Sequence, residues 1–311
     1  HRCLQEKLDV VMNSTQAKLS LGPLLFNWDV DKIRDFYFKI ADEAPVDHVY
    51  VGEVVCSKRG YGNDYIPDVI ERLERAGKKV IISGLALIMD DKDKRFMESH
   101  NAMSPDYMIE ANDLSAINFL RGKDHAIGPF VNIYNEATLR YFEKGGAKRV
   151  SLNHELPCSS LKALADAATA ELEVQVFGRL PLAISARCYH ARAHNLNKGG
   201  CQYVCDRDAD GLTVDTLDGV PFLVINGLQT MSYTYCNLMK ELPEMLGMGI
   251  NNFRLSPHDV DMVKVTQLYR DCLDGKIESD EASQSLEDEV FAAEFSNGFY
   301  HGEPGMEQVE L

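Results

Sequence analysis

The chain has 311 residues, with 32 Lys+Arg against 48 Asp+Glu and a formal net charge of −16, and its hydrophobic (45%) and charged (26%) fractions are those of an ordinary globular protein. That length suits two average domains or one large α/β barrel with additions, and the apolar content supports a core that needs no disulfide or metal to hold it. The acidic balance argues against nucleic acid and anionic membrane surfaces as main partners, because both recruit clustered Lys and Arg.

Residues 1–17 read as a disordered N-terminal extension. The opening HRCLQEKLDVV lacks the apolar run and cleavage site of a secretory signal, so a cytoplasmic location is expected. From Lys18 onward short apolar, β-branched runs alternate with helical patterns. Strands are predicted at residues 19–26, 48–52, 80–84, 107–111, 128–132, 149–152, 172–177 and 252–255. Ile33, Phe36, Tyr37 and Ile40 share one helical face, as do Ile66, Val69, Ile70 and Leu73. Further helices are predicted over 136–145, 158–170, 230–247 and 259–273. The longest apolar stretch, residues 80–89 (VIISGLALIM), is half of what a bilayer requires and reads as a buried strand.

Eight strands with helical crossovers predict an α/β fold, a (β/α)8 TIM-like barrel over residues 18–273. An open doubly wound sheet lacks its phosphate loop, since no G-x-G-x-x-G follows a strand. The stretch from about 181 to 229 breaks the alternation after the seventh strand. Its runs at 211–217 and 220–226, joined by Asp218-Gly219, read as a hairpin. Residues 274–311 carry eleven Asp/Glu and one Lys, a net of −10, which leaves −6 for the body. This acidic C-terminal tail is expected to be a partly disordered solubilising or docking segment.

Three cysteines, Cys188, Cys201 and Cys205, fall inside the insertion. Cys201 and Cys205 are close enough in sequence to share a metal, and a fourth thiolate would complete a tetrahedral zinc or a cubane cluster. Cys56, just beyond the second strand, and Cys158, after the sixth, are the competing candidates. Cys236 and Cys272 sit in apolar patterns as ordinary buried thiols. Spacing alone leaves zinc and iron–sulfur open, and ordinary unligated cysteines are the plain alternative.

The run EVQVFGRLPLAISARC from Glu173 resembles the signature of the collagenase-like peptidase family of bacteria. Glu173, Gly178, Ser185 and Cys188 match it. Phe177 stands in place of the family's His, Pro181 in place of its first Cys, and Ala186 in place of a Gly. With SLGPLLFNW, VYVGEVVCSKR, LPLAISARCYHAR and VINGLQTMS, the chain is similar to the branch devoted to oxygen-independent hydroxylation in ubiquinone biosynthesis. The resemblance implies a β/α barrel with a [4Fe–4S] cluster on Cys56, Cys188, Cys201 and Cys205, Cys56 replacing the cysteine lost at Pro181. It further implies a heterodimer with a paralogous U-type ubiquinone-biosynthesis subunit, and a lipid-binding accessory protein presenting prenylated quinone precursors.

Four thiolates leave no iron open to substrate, so such a cluster is suited to relaying electrons. Rival readings are a peptidase-family hydrolase, an RNA hydroxylation factor, and a non-catalytic Fe–S scaffold for the partner. Hydrolysis would have to draw on His154, Glu155 or His190, and none of these forms a known hydrolase pattern. Arg59 with Lys58, and Arg187 with Arg192, flank the cysteines and could donate to cluster sulfurs or bind an anionic substrate. Asn132, Tyr134, Asn135 and Glu155 are placed at the barrel mouth, as pocket residues or as caps and turns. Glu173, a carboxylate inside an apolar strand, is a further candidate pocket residue, either catalytic in ancestry or a member of a structural ion pair.

Overall fold

A computed structural model describes residues 17–59, 63–104, 106–289 and 294–310. The predicted extension at 1–17 lies outside them but for Ala17. Eight parallel strands close on themselves: β1 (Lys18–Leu21), β2 (His48–Val51), β3 (Lys79–Ser83), β4 (Met108–Ala111), β5 (His125–Ile127), β6 (Ala147–Ser151), β7 (Glu171–Ile184) and, after the insertion, a strand at Asn252–Leu255 that pairs with both β7 and β1. The fold is a TIM barrel. Helices cross over between strands, beginning with α1 (Val30–Glu43), α2 (Ile66–Arg75), α3 (Asp91–Asn101), α4 (Leu114–Leu120), α5 (Glu136–Lys144) and α6 (Cys158–Ala167). Asp29, Asp90, Asp113 and Asn135 cap four of these helices through their side chains, satisfying N–H groups that have no partner within the helix.

Strand alternation divides the barrel into two environments. The outward residues Leu19, Val49, Ile82, Ile109, Val150, Val174 and Phe253 form one core with Ile40, Leu73, Leu139, Leu161 and Tyr269 from the helices. The inward face is polar. Glu110, Glu173 and Arg254 are buried and meet across the barrel with Tyr50, Ser83 and Arg149.

β7 is 14 residues long, much longer than its neighbours. Its first half closes the barrel, while its second half leaves the barrel and pairs antiparallel with a later strand. The insertion is therefore an extension of the barrel sheet. After α7 (Tyr189–Ala193) and a 3-10 turn at Val204–Arg207 come β8 (Leu212–Asp215), β9 (Pro221–Asn226) and β10 (Gln229–Asn237), ordered β7-β10-β9-β8. The β8–β9 hairpin turns at Thr216–Val220, where the Thr216 N–H donates to the Val220 carbonyl at 2.8 Å. α8 (Leu242–Gly247) then leads into the last barrel strand, β11 (Asn252–Leu255), and α9 (Met262–Leu273).

Three expectations are corrected. The fifth strand is at His125–Ile127 rather than 128–132, because Gly128-Pro129 ends the ladder: Pro129 has no N–H to donate. The helix over 230–247 is instead β10 followed by α8. Thr230, Tyr233, Thr234 and Tyr235 favour a strand, and the long β7 supplies the partner edge. The acidic segment is also folded over its described residues. α10 (Ser279–Glu289) buries Ala282 and Leu286, β12 (Phe295–Ser296) pairs with β10, and α11 (Gly298–His301) buries Tyr300. Its apolar residues recur at helical spacing, and its charges stay on the outer side, where Asp280 meets Lys240 and Glu289 meets Lys264. Among the described residues no helix is long and apolar enough to cross a membrane.

Candidate metal centre

Cys56 is presented by a turn directly beyond β2. Gly52 has φ +136, and a Cβ there would stand 2.3 Å from the Ser83 carbonyl oxygen, so only glycine fits. Glu53 Oε1 then accepts the N–H groups of Val55 (2.7 Å) and Cys56 (2.9 Å), which folds the loop back over the barrel mouth. Cys188 is the N-cap of α7. Its Sγ accepts the Ala191 N–H at 3.4 Å and lies 3.2 Å from the Gly227 carbonyl. Cys201 opens a turn in which Gln202 and Tyr203 take positive φ (50° and 56°), and this reversal leads into the 3-10 turn that carries Cys205. Asn27 Nδ2 donates to Cys205 Sγ at 3.4 Å.

All four sulfur-bearing residues line one pocket, together with Arg59, Lys58 and Lys198. Val204 and Leu228 line it, and Leu25, Val54 and Val55 pack in one apolar cluster with Cys188 and Leu228. No three of the four sulfurs lie within 4.8 Å of one another, since among the described residues the one triad of donor atoms that close is made of other side chains. Burial pushes the Cys56 and Cys188 thiols up. Positive charge counters it. Burial opposes the Arg59 charge, but Glu53, Cys205 and Cys56 outweigh it and push the guanidinium pKa up. Arg59 is fixed by the Leu25 carbonyl at 3.0 Å and by Asn226 Oδ1. Gly227, with φ +67, leaves room for it: a Cβ there would be 2.4 Å from Nη2. Lys58 Nζ reaches the carbonyls of Lys198 (2.5 Å) and Gly199 (3.0 Å) and so holds the loop before Cys201.

The other singled-out residues lie elsewhere. Arg187 and Arg192 are exposed; the Arg187 backbone N–H donates to Ser185 Oγ at 3.1 Å. Asn132 is exposed, Asn135 caps α5, and exposed Glu155 accepts the Tyr134 hydroxyl. Glu173 is locked in the barrel by Arg254 at 2.6 Å. His154 lines a separate pocket with Leu180 and Tyr300, where burial lowers its pKa to about 3. Cys158 sits beside Tyr300 and Glu244.

One cluster had no sequence signal. Asp210, just before β8, takes His258 Nδ1 at 2.7 Å, Arg179 Nη2 at 2.9 Å and the Tyr235 hydroxyl at 2.5 Å. It ties the hairpin to β7, β10 and the loop after β11. His258 Nε2 accepts the Arg179 backbone N–H at 2.9 Å, so the ring is neutral and has no free nitrogen with which to serve a nucleophile. This cluster also accounts for Gly178. Its φ is +102, and a Cβ would stand 2.6 Å from His258 Nε2.

Comparison with known proteins bears on the family of the chain. The chain is 25% identical over 195 residues to tRNA hydroxylation protein P1 of Bacillus subtilis, a match covering 57% of this chain and 45% of that protein. It is 24% identical over 287 residues to an uncharacterized protease of Methanocaldococcus jannaschii, covering 84% of this chain and 70% of the relative. The chain thus spans under half the length of the first of these relatives. Among solved structures, a U32 peptidase aligns at 10% identity over 78% of this chain and 92% of its own, with TM-score 0.42. Tryptophan synthase from Pyrococcus furiosus aligns at 12% identity over 89% and 98%, with TM-score 0.42. The family model of peptidase family U32 matches residues 29–310, from α1 to the end of the folded C-terminal segment, and the chain belongs to that family.

Proposed function

We propose that Cys56, Cys188, Cys201 and Cys205 hold a [4Fe–4S] cluster, and that the chain is the iron–sulfur subunit of an oxygen-independent hydroxylase. The observation that carries this is the convergence of four cysteines, from two segments some 130 residues apart in sequence, on one largely apolar pocket. The donor set suits a cluster better than a single ion. One tetrahedral zinc needs sulfurs about 3.8 Å apart, and this spread is wider. N–H groups of Ala191 and Asn27 already point at Cys188 and Cys205 sulfurs, the kind of contact that tunes cluster potential. When bound, the cluster would supply one-electron transfer.

The chain's own residues bind, orient and shield. Arg59, Lys58 and Lys198 place positive charge against a group that four thiolates make anionic. Val204 and Leu228 give it an apolar lining, backed by the cluster of Leu25, Val54 and Val55. The substrates in this reading are prenylated aromatic intermediates of ubiquinone biosynthesis, the role of the ubiquinone-biosynthesis protein UbiV. The chain would act as a heterodimer with a paralogous U-type subunit, with a lipid-binding accessory protein delivering the intermediates.

Cys201→Ala is expected to abolish both acid-labile sulfide in anaerobically purified protein and quinone formation in oxygen-free growth. Undiminished sulfide, or zinc without sulfide, sinks the cofactor assignment. A second reading, hydroxylation of RNA, is favoured by the relative named for tRNA hydroxylation. It predicts salt-dependent RNA binding by the purified protein, and the net −6 of residues 1–273 speaks against it. A peptidase reading is supported by the family's name but by no nucleophile–base pair among the residues described above, the His258 ring being fully engaged.

A further inference from the structure

We infer that the insertion carries a second metal site, for one divalent transition-metal ion, made of His190, His194 and Asp208. The two histidines stand four residues apart on and just beyond α7, so one helical turn brings their imidazoles together. Their rings are stacked, 5.5 Å between centroids and 20° between planes. Asp208 follows the 3-10 turn that carries Cys205, and its Oδ2 lies 2.9 Å from His190 Nε2. One donor atom from each of the three lies within 4.8 Å of the others.

A simple His190–Asp208 hydrogen bond does not account for the arrangement. His190 is fully buried with Asp208 and the Ile225 backbone as its polar neighbours, neither meeting a ring nitrogen in good hydrogen-bond geometry, and His194 Nε2 is also buried without a partner. Polar atoms buried in that state are rare in folded proteins and call for a partner. A cation takes up both imidazole lone pairs and the carboxylate together. Donors about 2.0–2.2 Å from a metal stand roughly 3.0–3.4 Å apart, so His190 and Asp208 are already at ligand separation and His194 closes by less than about 2 Å. Two imidazoles and one carboxylate suit zinc or ferrous iron. Asp208 is partly exposed, and that side stays open for water to complete the coordination.

The ion fastens α7 to the 3-10 turn. These two short segments present Cys188 and Cys205, so the second site braces the cysteine pocket without sharing a ligand with it. The inference does not depend on what the cysteines hold.

Elemental analysis of the anaerobically purified full chain tests it, with iron, zinc and acid-labile sulfide measured together. The expected result is one divalent ion per chain beyond the iron matched by sulfide. His194→Ala and Asp208→Asn should each lose that ion and keep the sulfide, which also shows that the variants fold. The zinc and iron values identify which ion the site takes. Cobalt(II) added to chain stripped of loosely held metal should give weak d–d bands without thiolate charge transfer, and His194→Ala should remove them. No ion beyond the sulfide-matched iron, an ion that persists in both variants, or cobalt bands of thiolate character would overturn the site. Should sulfide be absent throughout, the cluster reading fails, while the cobalt response to His194→Ala still decides this one.

Discussion

Arg254 shows what a polar barrel interior demands of single residues. Its guanidinium meets Glu110 and Glu173, both at 2.6 Å, and lies over the Tyr50 ring at 4.1 Å. Burial pushes Glu173 up, but Arg254 and Arg149 outweigh it and hold the carboxyl below its ordinary range. Removing the cation leaves Glu110 with no cation and Glu173 with only the more distant Arg149 at 3.9 Å, so Arg254→Met should cost about 3–5 kcal/mol, read as a fall in the urea midpoint. Adding Glu110→Gln and Glu173→Gln to it should recover most of that loss, because the charges then go together; no recovery would show that packing, not charge, is at stake. Position 173, inside an apolar strand, marked a buried carboxylate in need of a partner. The partners were illegible, since Tyr50, Glu110 and Arg254 lie 123, 63 and 81 residues away in sequence, and only barrel closure brings them in.

Between elements, the question is how an insertion of some fifty residues stays in register with the barrel it decorates. Two devices do this: the overlong β7, which passes from barrel into hairpin sheet, and the Asp210 clamp, which joins hairpin, β7, β10 and the loop after β11. Asp210→Asn keeps the shape but not the charge facing Arg179. It should cost roughly 2–3 kcal/mol, the scale of hydrogen bonds to charged groups, and protease cleavage should then begin in residues 185–228 before the barrel is touched. Cleavage starting elsewhere at the wild-type rate would show that the clamp does not hold the insertion. Regular elements were legible where periodicity was local, as in α1, α2 and the Asp218-Gly219 hairpin. β10 was not, because its apolar and aromatic residues fit a helix or a strand equally well and the deciding partner, β7, begins some sixty residues earlier. The cysteines were legible as a group, but the fit of Cys56 rather than Cys158 to the pocket depends on where the β2 turn folds.

For the whole molecule, the charge that dominates the sequence is less consequential than the histidines inside it. Most of the acidic excess sits on the outer faces of α10 and the segment that follows, in solvent, where pairs contribute little. Several histidines, by contrast, are buried neutral. Burial, with Arg149 adding to it, lowers His48 to about 4; burial alone lowers His125, burial with Arg179 lowers His258, and burial with Arg254 lowers His154 to about 3. Arg149 Nη2 lies 3.2 Å from His48 Nε2, so protonating that nitrogen would break the contact and set two cations together. The unfolded chain takes up these protons near pH 6.5 and the folded chain only well below it. The stabilisation is therefore complete above pH 6.5 and is lost as the pH falls toward the folded values. Stability should decline from pH 6.5 downward, before the carboxylates of Glu173 and Asp210, both held low by their partners, add their own loss below pH ~4. His48 accounts for roughly 2–3 kcal/mol of this by pH 4. Thermal midpoints of the wild type and His48→Gln, compared at pH 7.5, 6.5, 5.5 and 4.5, isolate that share, since any acid damage to a bound cluster is common to both. The variant should show the shallower decline; parallel curves would mean that His48 takes up its proton in the folded barrel as readily as in the unfolded chain.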